Sequence, residues 1–90
     1  MLKDGDVVVG LVKDGKIIKM AEYGDRPELA PSHEDLARMI NALVERGVLQ
    51  PGVEAFTVWK EAGKLLIRGS NNFNVDVSPE TRALLEKSFQ

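Results

Sequence analysis

"DVVVGLVKDGKIIKMAEY", residues 6–23, is the stretch on which the reading of the fold turns. Two runs rich in β-branched residues flank Asp14-Gly15, a pair that tolerates the positive φ angles of a tight hairpin. In the first run Val7, Val9 and Leu11 fall on one side of a strand, and Val8 and Val12 on the other with Gly10 between them. A strand that is apolar on both sides needs cover on both. The first strand is therefore expected inside a sheet, with further structure packed above and below it.

Working outward, "GDRPELAP" carries Pro27 and Pro31 and reads as a connecting loop. Ser32 then stands where a helix N-cap belongs, with Asp35 three residues on in an S-x-x-D capping pattern. Leu36, Met39, Ile40, Leu43 and Val44 repeat at helical spacing, Gly47 ends the helix, and Pro51-Gly52 turns the chain. In the second half "EAFTVWK" and "KLLIRG" flank Glu61-Ala62-Gly63 as a second hairpin. In "NFNVDV", Phe73, Val75 and Val77 alternate with Asn74 and Asp76, the period of a fifth strand. Ser78 and Pro79 open a closing helix that runs to about Phe89 and turns Leu84, Leu85 and Phe89 inward. The order is ββαβββα: an α+β fold with a single, mostly antiparallel five-stranded sheet and helices packed on it.

Ninety residues form one domain, 1–90, and a chain of this size buries only roughly 60–65% of its unfolded surface. A partner chain is one way to add stability. With 12 basic residues against 14 acidic the net charge is -2, which offers no excess positive field for phosphates or an anionic membrane and argues against nucleic acid as a partner. The chain has no cysteine, so disulfides, thiolate catalysis and sulfur-bound zinc are excluded. Asp4 and Asp6 interrupt any secretory leader, and no segment approaches the ~20 apolar residues of a membrane span. A cytoplasmic protein that does not touch membranes is the expectation.

The residues with chemical potential are few. Asn72, Asn74 and Asp76 could supply oxygens to a cation, but as the first, third and fifth positions of a calcium loop they would need Gly at Val77 and Glu at Ala83. A polar strand face, or an exposed edge that pairs with a second chain, fits their spacing better. His33, the only histidine, reads as a first-turn residue in solvent. Ser32, Ser70, Ser78 and Ser88 lie in no nucleophile elbow, and "GLVKDGK" is no phosphate loop. No catalytic residue, metal or cofactor is expected. Trp59 and Tyr23 read as core or interface aromatics, and Met20 and Met39 as gap-filling core residues. Between Ala21 and Asp35 five acidic residues face Arg26 alone, so this segment, with Asp25 and Glu28, is either a solvated loop or a docking patch for a basic partner.

The hairpin "VVVGLVKDGKIIKMAEYGD", one amphipathic helix, then "EAFTVWKEAGKLLIRGSNNFNVDV" and a closing helix resemble in plan the core of the roadblock/LC7 proteins, which have a profilin-like α/β/α fold. Met1 to Gly5 stand where that family carries a further helix. The resemblance implies a non-enzymatic homodimer with its central helix and adjacent strand near the two-fold axis, serving as a platform for a small GTPase or a motor or signalling complex. The residues themselves also predict a homodimer, because a doubly apolar strand and only two helices leave sheet surface to cover. The helix face around Met39 and Leu43 and the edge from Asn72 to Asp76 are the two candidate contact surfaces. The expected function is a small non-catalytic interaction or regulatory module; the alternative is a binder of a small ligand or nucleic acid that uses the sheet face or the Asn-rich turn.

Overall fold

In the computed structural model, which describes residues 2–69 and 76–89, the first hairpin forms as its sequence predicts. Strands β1 (Val7–Lys13) and β2 (Lys16–Gly24) are joined by Asp14 and Gly15, both at positive φ. A short 3-10 turn (Pro27–Leu29) leads to helix α1 (His33–Glu45), strands β3 (Glu54–Glu61) and β4 (Lys64–Gly69) make a second hairpin, and helix α2 (Pro79–Phe89) closes the chain. The sheet order is β2-β1-β3-β4 with every neighbouring pair antiparallel.

β1 is thus an interior strand, and its two apolar faces are covered from opposite sides. Val7 and Val9 pack with Leu36 of α1, while Val8 and Val12 pack with Phe56, Val58, Leu85 and Phe89 beneath α2. Val8, Val12, Phe56, Val58 and Leu85 are almost wholly buried, and each contributes about 1.5–3 kcal/mol of transfer free energy. The result is three layers: helix, sheet, helix. Gly10 makes the α2 side possible. A Cβ there would lie 2.5 Å from the Lys19 carbonyl oxygen and 2.6 Å from Cζ of Phe56; the missing side chain is the space the Phe56 ring occupies.

One expectation is corrected. Among the described residues the sheet has four strands, and their order with the helices is ββαββα rather than ββαβββα. Residues 70–75, which hold Asn72, Asn74, Phe73 and Val75 of the expected fifth strand, lie outside the described residues. Its last members are described and are not in a strand: a Cβ on Gly69 would meet the backbone carbon of Asp76 at 2.7 Å and its oxygen at 2.8 Å. Gly69 pairs with Phe56 and shares its side of the sheet, so the backbone at Asp76 crosses over that face instead of lying in the plane beside β4. Val77 then drops into the α2-side core.

What holds Asp76 and Val77 there is Glu54. Its carboxylate accepts from the Ser78 amide at 2.8 Å and from the Ser78 hydroxyl at 3.0 Å, and also from the hydroxyl of buried Thr81. Ser78 in turn accepts from the Thr81 amide at 3.3 Å, the N-cap expected of it. Partial burial pushes the Glu54 pKa up, but the bonds from Thr81 and Ser78 together outweigh it and hold the pKa below its ordinary value of 4.5. The start of α2 is pinned to the first residue of β3.

Candidate functional site

Helix α1 begins where its sequence predicts, with Ser32 accepting from the Asp35 amide at 3.2 Å. The Asp35 pKa is lowered by its hydrogen bonds with Arg38 and then Ser32. The helix buries Leu36 and Ile40 but leaves Met39 54% exposed and Leu43 half-buried. It does so because it covers the middle of the sheet and stops short of β2. Between them runs a groove of about 240 Å³, walled by Leu36, Met39 and Leu43 on one side and floored by Leu11, Ala21 and Tyr23 on the other.

β2 is an edge strand among the described residues, and apart from Ile17 and Tyr23 its residues are exposed. On the α2 side a second hollow of about 510 Å³ is lined by Leu2, Met20, Glu22 and Phe89. On β2 Ile18 is 51% and Met20, which lines both hollows, 46% exposed. Met20 and Met39 are therefore not the core residues their composition suggests; both stand at the margins of these grooves. Tyr23 and Trp59 do pack as expected, against Val7 and Val9, and the Trp59 indole donates to Glu61 at 3.2 Å.

Of the residues expected at an interface, Met39 and Leu43 come together with β2. Asp25 and Glu28 stand in the loop between Tyr23 and Pro31; those two residues line the groove, whereas Asp25 and Glu28 do not. Glu28 is paired with Arg26 at 3.6 Å and both are well exposed, a contact of little energy. Asp76 belongs elsewhere. It is on the α2 side, its side chain 78% exposed and 3.7 Å from Arg82, so Asp76 and the Met39/Leu43 surface are on different faces of the molecule. Asn72 and Asn74 lie outside the described residues.

A third hollow, about 320 Å³, lies between the Pro27–Pro31 loop and β3, walled by Val7, Pro27, Pro31 and Trp59. Thr57 lines it, and the Thr57 hydroxyl is buried with no hydrogen-bond partner among the described residues. The sequence carries no signal for Thr57, nor for the exposure of Ile18 and Met20, because neither follows from residue type. Among the described residues no helix is long and apolar enough to cross a membrane. Compared with known protein families, with curated proteins and with solved structures, the chain shows no match.

Proposed function

We propose that the chain is a small, non-catalytic interaction module that works as a homodimeric platform for a protein partner. The observation that carries this reading is the groove between α1 and β2: an apolar floor, a strand edge beside it that is unpaired among the described residues, and a helix that leaves Met39 exposed and Leu43 half-buried. Exposed apolar surface of this kind on a chain of 90 residues is costly unless something is seated on it. Asp25 and Glu28, exposed in the loop between the groove residues Tyr23 and Pro31, suit a partner with a basic surface. The roadblock/LC7-like plan is part of the same proposal, as is a cytoplasmic setting for a chain without cysteine.

The expected outcome in sedimentation velocity at micromolar concentration is a dimer. A clean monomer would overturn the homodimer. Met39→Glu and Leu43→Glu place a charge in the groove without touching the buried core, so a partner retained by the wild type should be lost by both variants while their circular dichroism stays unchanged.

The hollow at Thr57 favours a second reading, a binder of a small neutral ligand, because a buried hydroxyl without a partner offers a hydrogen bond to whatever enters. Native mass spectrometry of protein purified without denaturation tests it: a retained small molecule supports this reading, and bare chain mass counts against it.

A further inference from the structure

The groove between α1 and β2 is apolar along its floor but not at its hairpin end. Lys19 lines it, and the ladder sets Lys19 opposite Leu11 and Lys16 opposite Lys13. Leu11 and Lys13 alternate with Val12 of the α2-side core, so all three lysines stand on the α1 face of the hairpin. Lys16 and Lys19 are exposed, Lys13 is half-buried, and among the described residues none of the three is in an ion pair. The hairpin's own carboxylates are elsewhere: Asp14 sits in the turn, and Glu22 pairs with Val8, which puts it on the α2 face.

Lysines on an edge strand ordinarily guard it against pairing with another chain. That accounts for Lys16 and Lys19 on β2 but not for Lys13, which belongs to interior strand β1. Lys13 and Lys16 are directly opposite, and like charges across a strand pair destabilise it. The placement works against the hairpin until a negative charge stands over it. We propose that the groove seats an acidic, apolar peptide segment of a partner protein, with apolar side chains between Met39, Leu43 and Tyr23 and carboxylates over Lys13, Lys16 and Lys19. This rests on the platform reading above and states the chemistry of the segment that enters the groove; a basic surface suited to Asp25 and Glu28 meets the chain outside it. Met20 and Met39 suit such a segment, because unbranched thioether side chains adapt to varied apolar shapes.

Fluorescence anisotropy with the whole chain tests it. The probe is a labelled peptide with leucines at its centre and glutamates at both ends, compared with the same peptide carrying lysines in place of the glutamates. The glutamate peptide should bind, and more weakly as salt is added, because exposed charges are screened; the lysine peptide should not bind. Lys16→Glu with Lys19→Glu changes two exposed positions, so circular dichroism should confirm that the variant folds. It should weaken the glutamate peptide at least about tenfold and gain affinity for the lysine peptide. Met39→Glu should weaken the glutamate peptide as well. Equal binding of the two peptides, or binding of the glutamate peptide that survives the lysine exchange, would overturn this inference and leave the platform reading in place. Binding of the lysine peptide alone would give the groove to a basic segment and overturn it too. If neither peptide binds, the inference falls, and the platform reading falls with it only if Met39→Glu and Leu43→Glu keep both the dimer and the partner of the wild type.

Discussion

Thr57 shows how a single side chain can run against its surroundings. It is 7% exposed, faces the α1 side of the sheet and leaves its hydroxyl without a hydrogen bond among the described residues. A buried polar group without a partner costs stability that an apolar group of the same shape does not. Thr57→Val should therefore raise stability by about 1 kcal/mol in chemical denaturation. A loss of stability instead would mean that the hydroxyl is satisfied in solution, by water or by a ligand in the adjoining hollow. Gly10 is the opposite case. The sequence places it between Val8 and Val12 without a reason, and the reason is a ring, Phe56, that is 46 residues away in the chain and directly opposite in the sheet.

Among the elements, the two hairpins use the same device unequally. Each has a two-residue turn with positive φ at both positions, Asp14-Gly15 in the first and Ala62-Gly63 in the second. Asp tolerates that conformation; Ala pays roughly 1 kcal/mol for it through its Cβ. Ala62→Asn should stabilise the protein by about 0.5–1 kcal/mol, read as a higher denaturant midpoint with an unchanged slope. The turns, the α1 cap at Ser32 and the α2 cap at Ser78 were legible because each depends on neighbours within a few residues. The fifth strand was misread for a related reason. "NFNVDV" has the right period, but period says nothing of whether a neighbouring strand is within reach, and at Asp76 the backbone lies over Gly69 on the face of the sheet.

For the molecule as a whole, the contact between Glu54 and the start of α2 ties the second helix to the centre of the sheet and makes stability depend on pH. The folded-state pKa of Glu54 lies below its ordinary 4.5, so the ionised form favours the folded state. Its contribution is complete above the unfolded value and is lost as pH falls through the depressed folded one. Glu54→Gln should be less stable than the wild type at neutral pH by about 1–3 kcal/mol, the range for breaking bonds to a charged acceptor. The gap should close as pH drops below about 4.5. Parallel stability curves for the two proteins between neutral and acid pH would show that the charge on Glu54 does not stabilise the fold.

By itself the sequence determined the local elements: two hairpins, two capped helices and a first strand that had to be buried on both faces, since periodicity, caps and turn residues act over short distances. Tertiary structure alone decided that β1 pairs with β3, that the helices cover opposite faces, that four strands and not five make up the described sheet, and that Met20 and Met39 stand outside the core. Each of these depends on where one element ends relative to another far along the chain. Exposure is a property of that arrangement, and α1 leaves β2 uncovered because one helix is too narrow to span the sheet.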